Sequence, residues 1–343
     1  MLRRRMRAYS ALLLAVFIWG VSFVIVKEGV KAWEGQKFTF LAARFWLACL
    51  VYGLYLTARH GLSRKAFPLD APMISRASLV GLVLAVGYGL QTWYLVEGSA
   101  VRAAFLTSTT VLWAPIIALM FCQRVHPATV FGAAVAMIGI LLLEWENISL
   151  DSDLTHWFAI LAAIAFAVEL LLVSHYAPKE KNIQWTMVSC LSVALVMTTL
   201  ALLREPWHWP AGQTTQRSFA VIFTGIFATA VALGLQNWAQ AQEIKNIKII
   251  DGPRAALIFT MEPVFTTLLM GALILLGLQM RDQSDLTLPA IGCCLILAGT
   301  LISELTAANL DQKQDSAEQA EDHAGGGRGD AHHEEGESEE ARR

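Results

Sequence analysis

The sequence predicts an all-α integral membrane protein of ten transmembrane helices, built as two five-helix repeats of opposite topology. Three observations predict it. The chain is 55% apolar and only 16% charged, whereas soluble domains carry about 25% charged residues. Its apolar runs are close to 20 residues long, the length a helix needs to cross hydrocarbon. Motifs in the first half recur, in the same order, in the second.

The apolar runs fall at 8–27, 38–58, 77–96, 102–121, 127–145, 155–174, 184–203, 218–241, 254–278 and 287–305. Barrel-type alternation is absent, so helices are the way to satisfy the backbone in lipid. The basic start, Met1 to Arg7, leads into a run that continues to Val26 with Trp19 in its middle and no small-residue cleavage site. It reads as a first span rather than a signal peptide. Counting Lys and Arg in the connections gives 14 on the side of the N-terminus and 7 on the other, which places both termini in the cytoplasm. Trp33, Trp145, Trp157, Trp207 and Trp209 fall at expected interfaces. The tail from Thr306 carries 11 of the 28 acidic residues and a Gly-Gly-Gly run. It cannot bury enough apolar area to fold and is expected to be disordered. Its His332 and His333 read as solvated rather than metal-binding. Cys49, Cys122, Cys190, Cys293 and Cys294 show neither metal spacing nor a disulfide framework.

The repeat is carried by three matches. Gly132, Gly139 and Glu144 correspond to Gly292, Gly299 and Glu304. Gly89-Leu-Gln-Thr-Trp93 corresponds to Gly234-Leu-Gln-Asn-Trp238. Arg102-Ala-Ala with Pro115 corresponds to Arg254-Ala-Ala with Pro263. The organisation is therefore a cytoplasmic N-terminus at 1–7, repeat one at 8–145, an outer linker at 146–154, repeat two at 155–305 and an acidic cytoplasmic tail at 306–343. Five spans per repeat is odd, so the second repeat crosses in the opposite sense, as in many transporters. The glycines also serve packing, because small residues let helix backbones approach in lipid.

These residues resemble the drug/metabolite transporter superfamily, in particular its EamA-type ten-span branch. The resemblance rests on Trp19-Gly-Val-Ser-Phe23, Arg44, Ala103-Ala-Phe-Leu-Thr107 leading to Pro115, and Arg254-Ala-Ala-Leu257 leading to Glu262-Pro-Val-Phe265. It implies two five-helix halves around a central cavity, and movement of amino acids, metabolites or drugs. Two departures stand out: Gln123 before Arg124, where members often have an acidic residue, and Glu169 in span six.

Ionisable residues deep in a span cost roughly 2.5–3.5 kcal/mol on insertion scales and are functional candidates by default. Glu262 lies about 12 Å inside span nine, counted at 1.5 Å per residue. Pro263 follows it and, like Pro115, is a candidate helix break. Glu262 is either a substrate and proton-coupling group or a structural partner of a neighbouring helix. Glu169 is the second proton-coupling candidate, with a paired structural carboxyl as its alternative; by offset it matches Ser22. Arg44 either attracts a substrate carboxylate or pairs with an acid such as Glu97. The repeated pairs Gln91, Trp93 and Gln236, Asn237, Trp238 either line the cavity or bond between helices, and Trp19, Tyr88 and Trp113 supply aromatic walls. Such a mixture of amides and rings suits an amphipathic solute.

The expected function is a secondary active transporter that moves a small organic solute, most simply by efflux, across the inner membrane by alternating access. The alternatives are a non-transporting membrane scaffold or receptor subunit and, among transporters, a nucleotide-sugar or phosphometabolite carrier. No phosphate loop, GxSxG or HExxH motif is present, so neither an enzyme nor a cofactor nor a metal is expected. The expected partners are the solute, protons and the bilayer, with no nucleic acid; a homodimer is left open.

Overall fold

Alternating apolar runs and short connections leave a chain of this composition little choice but a bundle of helices. A computed structural model describes residues 2–61, 70–97, 107–121, 125–143, 154–206, 214–244, 247–275 and 290–306. The helices are α1 (Leu2–Ala32), α2 (Lys37–His60), α3 (Ala71–Glu97), α4 (Thr110–Met120), α5 (Pro127–Leu143), α6 (Leu154–Tyr176), α7 (Asn182–Arg204), α8 (Thr214–Ala241), α9 (Gly252–Phe259), α10 (Met261–Leu275) and α11 (Ala290–Thr306). Six of them, α1, α2, α3, α6, α7 and α8, are long and apolar enough to cross a membrane; α4, α5 and α11 are shorter apolar helices. The tail beyond Thr306, most of the expected linker, Glu144, Trp145, Trp207 and Trp209 lie outside the described residues.

The bundle is apolar outside and mixed inside. Leu13, Leu50, Leu54, Leu82, Phe131, Leu195 and Leu268 are exposed, while Thr224, Thr229, Gln236, Asn237, Gln240 and Thr266 are buried. That is the distribution a bilayer selects, because lipid welcomes leucine and leaves polar groups to find partners between helices. Helix α3 packs along α6 and α7, α2 runs along α7 and α8, and α1 along α8 and α10.

Close approaches occur at small residues. A Cβ on Gly132 would stand 2.5 Å from the carbonyl oxygen of Gly299, and one on Gly139 would stand 2.6 Å from that of Gly292. Thus α5 and α11 meet backbone to backbone at the four glycines that match in sequence. Likewise Gly20 of α1 sits against the backbone of Glu262 in α10, where the Thr266 hydroxyl donates to the Gly20 carbonyl at 3.0 Å.

Helix ends are closed by local acids. Asp251 accepts from the backbone N–H of Arg254 at 2.9 Å and Pro253 opens α9, an N-cap and first-turn proline in their preferred places. At α2 the cap comes from afar: Glu205, just past α7, accepts from the backbone N–H groups of Phe38 at 2.7 Å and Thr39 at 2.8 Å. Asp70 caps α3 through Met73 and pairs with Lys181 at 2.9 Å. The Lys181 ammonium, then the Met73 N–H, hold the Asp70 carboxyl below the usual carboxylate range.

Three features depart from the sequence expectation. The ninth run breaks at Thr260, between α9 and α10, so Pro263 lies in the first turn of a new helix. Its missing N–H costs little there, because the first N–H groups of a helix lack intrahelical partners anyway. Pro115 ends nothing: α4 continues through it. Between α8 and α9 the chain forms a two-stranded hairpin, β1 (Glu243–Ile244) with β2 (Ile247–Lys248). The Glu243 carboxylate there meets Lys179 at 2.5 Å and Lys248 at 3.0 Å.

Helix α8 carries a further irregularity, a π-helical stretch over Thr224–Val231. Widening a helix turn frees carbonyls from the regular ladder. Long side chains from α1 and α2 take them up. The Trp19 indole donates to the Ala228 carbonyl at 2.7 Å, Arg44 donates to the same carbonyl at 3.4 Å, and the Tyr52 hydroxyl donates to that of Ala230.

Candidate functional site

A cavity of about 60 Å³ lies at the centre of the bundle. Helix α1 contributes Trp19, Ser22, Phe23 and Val26; α2 contributes Arg44; α3 contributes Leu84, Tyr88, Gln91 and Leu95. Thr107, Ser108 and Thr110 come from the start of the α4 segment, Phe166 and Glu169 from α6, Leu233 and Gln236 from α8, Phe259 from α9 and Glu262 from α10. The lining therefore draws on the later halves of α1, α3, α6 and α8, and on the break between α9 and α10.

The polar groups differ in how they are held. Arg44 is 3% exposed. Its Nε donates to the Thr229 hydroxyl at 2.5 Å, and its guanidinium carbon stands 4.9 Å from the Tyr88 ring centroid. Tyr88 in turn meets Phe45 and Phe166 edge-on, each at 5.3 Å. A guanidinium over an aromatic face is attracted by the ring's negative face, so among the described residues Arg44 is anchored to α3 and α8. Gln91 donates to the Thr107 hydroxyl at 3.1 Å.

The two carboxylates have contrasting surroundings. Both oxygens of Glu169 accept from the Gln236 amide at 3.0 Å. The same amide nitrogen also donates to Gln240 at 3.3 Å, and Gln240 donates to the Leu170 carbonyl at 3.1 Å. This chain of amides fixes which end of Gln236 faces the carboxyl. The Glu262 carboxyl lies in the same cavity, 7% exposed. It makes no hydrogen bond or ion pair with any described residue. Buried polar groups are nearly always satisfied, so a lone carboxyl in a cavity points to something that comes and goes.

Residues 6–145 match the EamA-like transporter family. An uncharacterized transporter of Archaeoglobus fulgidus is 27% identical over 266 residues, 77% of each chain. A crystal structure of a protein superposes with a TM-score of 0.67 and 19% identity, over 88% of this chain and 99% of that one; that likeness is one of fold alone. By its match over residues 6–145 and its likeness to that transporter, the chain is similar to the drug/metabolite transporter superfamily. It is a multi-pass membrane transporter of that type, and no catalytic family is indicated.

In this transporter the structure gathers Trp19, Ser22, Arg44, Tyr88, Gln91, Gln236, Glu262 and Glu169 around one space. It sends others elsewhere. Asn237 turns to α7, where its amide donates to the Thr186 hydroxyl at 2.9 Å. Trp93 lies beneath Lys37, whose ammonium is 3.7 Å from the indole. Trp113 and Trp238 pack, half-buried, against apolar neighbours. Glu97, weighed as a partner for Arg44, has no described side chain. Sequence reasoning missed Thr107, Ser108 and Thr110, although a Thr-Ser-Thr-Thr run inside an apolar stretch is a visible polar signal. It also missed Gln240, one helical turn after Gln236 and on the same face.

The split between Gln236 and Asn237 is testable. Gln236→Leu should weaken solute binding about tenfold, since a lost hydrogen bond to a charged group is worth about 1.5–3 kcal/mol. Asn237→Leu should leave affinity alone and lower thermal stability, because it removes the hydrogen bond from α8 to the Thr186 hydroxyl of α7. Solute titration and thermal melts of the two purified variants distinguish them; equal loss of affinity in both would put Asn237 back in the site.

Proposed function

We propose that the chain is a secondary active transporter that expels a small organic solute from the cytoplasm by alternating access, with Glu262 as its coupling group. The reading takes the protein as ten spans in two inverted repeats, with both termini cytoplasmic. The observation that carries it is the Glu262 carboxyl, without a hydrogen-bond or ion-pair partner among the described residues, in a central cavity with aromatic walls. Such a group can pair with a solute amine or exchange a proton as the cavity turns from one face to the other.

The inverted repeat finds support in the glycine contacts. Exchanging each residue for its counterpart turns the pair Gly132–Gly299 into Gly292–Gly139, so the contact between α5 and α11 maps onto itself. Two halves related in this way can swap conformations, opening the same cavity first to one side and then to the other. Protons are the coupling partner in this reading, and Glu169, held by Gln236, has the supporting role.

The test is flux in proteoliposomes of purified protein, screened with amino acids, metabolites and drug-like amines under an imposed pH gradient. We expect one solute class to move against its gradient with counterflow of protons. A protein that binds none and dissipates no gradient would favour the scaffold reading. A periplasm-active reporter fused after Leu305 should be silent; strong activity would overturn the topology.

A further inference from the structure

Outside the cavity, a second built pocket lies where α3 begins, α6 ends and α7 begins, on the face that carries the start of α1. It encloses about 440 Å³ and is lined by Asp70, Arg76, Tyr176, Lys179, Lys181 and Trp185, among others. We propose that this pocket holds the phosphate of an anionic phospholipid.

The inference starts from donors without acceptors. Trp185 is 1% exposed, and its indole N–H, although buried, meets no acceptor among the described residues. A buried N–H is costly to leave unmade, so an acceptor is missing from this corner. Arg76 lies with its guanidinium carbon 5.1 Å from the Tyr176 ring centroid. It makes no hydrogen bond or ion pair with any described residue. Lys181 and Lys179 each spend themselves on a carboxylate, Asp70 and Glu243 respectively, but an ammonium has three donors. The corner therefore offers an indole N–H, a guanidinium and two ammonium groups to whatever enters. A phosphate, with several acceptor oxygens and a negative charge, matches that set.

The position selects lipid over free phosphate. Tyr176 and Trp185 stand at helix ends, where amphipathic rings sit at headgroup level. One turn beyond Arg76, Leu79 begins an exposed apolar stripe that continues through Leu82 and Val86 along α3. A headgroup in the pocket would lay its acyl chain along that stripe. Basic pockets between helices bind anionic headgroups in this manner. The site is separate from the central cavity, so it stands or falls independently of the transport reading.

The experiment measures lipid binding to the full-length detergent-solubilised protein by thermal shift and native mass spectrometry. Phosphatidylglycerol should raise the melting temperature and remain bound, while phosphatidylcholine and inorganic phosphate at equal concentration should do neither. Arg76→Gln should weaken phosphatidylglycerol binding about fivefold, and Trp185→Phe should weaken it too while keeping the ring. Arg76 is exposed, so its variant will fold even if Trp185→Phe does not. Equal binding of phosphatidylglycerol by the Arg76→Gln protein would overturn the site. Stabilisation by inorganic phosphate alone would overturn lipid as the source, and equal stabilisation by phosphatidylcholine would overturn the need for an anionic headgroup.

Discussion

Glu262→Gln is expected to abolish gradient-driven flux while leaving the protein folded. The substitution keeps the shape of the side chain and its hydrogen-bonding capacity, and removes only the titration and the charge. In the fold, Glu262 sits at the start of α10, with its backbone carbonyl against Gly20 and accepting from the Thr266 hydroxyl at 3.0 Å. None of that depends on the carboxyl. A buried carboxylate without a partner is a cost to the fold, so an amide there should hold or raise the melting temperature. Function should move the other way. An ion pair with a solute amine contributes about 1.5–3 kcal/mol, so affinity for a cationic solute should fall about ten- to a hundredfold. Glu169→Gln should keep most of the flux, since Gln236 can still bond to an amide at that position. Flux against an imposed pH gradient, measured for both variants, is the check. If the pattern is reversed, the coupling group lies on α6; if both variants transport normally, the two carboxyls are structural.

The second large effect is expected in folding. Gly299→Ala would place a Cβ 2.5 Å from the Gly132 carbonyl oxygen and 2.8 Å from the Ala136 nitrogen. Both obstacles are backbone, so no side chain can swing aside and α5 and α11 must separate. Overpacking usually costs about 1–3 kcal/mol, and separating two close-packed helices should sit at the upper end. Gly53→Ala is the internal control, because nothing lies within 4 Å of a Cβ there. It should be neutral or slightly stabilising, since alanine favours helix over glycine by about 1 kcal/mol. The yield of monodisperse protein and its melting temperature should fall for Gly299→Ala and not for Gly53→Ala; matched behaviour would mean the α5–α11 contact carries little of the stability.

Much of this was legible in the residues. The four glycines announced themselves by spacing, and they meet in pairs. Glu262, Glu169 and Arg44 stood out because charge inside an apolar run is rare, and all three line the cavity. What could not be read was orientation about the helix axis. Gln236 and Asn237 are neighbours about 100° apart on a helical wheel, and a repeated Gly-Leu-Gln motif does not say which of them faces the cavity. The π-helical stretch compounds this, because it shifts the phase of everything after it. Contacts that depend on distant chain segments were equally hidden: the cap on α2 comes from Glu205, and among the described residues Arg44 bonds to a hydroxyl on α8.

The π-helical stretch also has a mechanical meaning. Thr224–Val231 holds more chain than an α-helix of the same height would, and three donors from α1 and α2 keep the surplus in place. If those donors withdrew and the surplus were wound back into regular turns by one residue, the part of α8 after the stretch would rotate by about 100°. Gln236 would swing off Glu169, and the carboxyl would lose its amide without either helix having to tilt. Arg44, Trp19 and Tyr52 thus act as a catch on a screw, and the thread they hold ends at the amide that clasps Glu169.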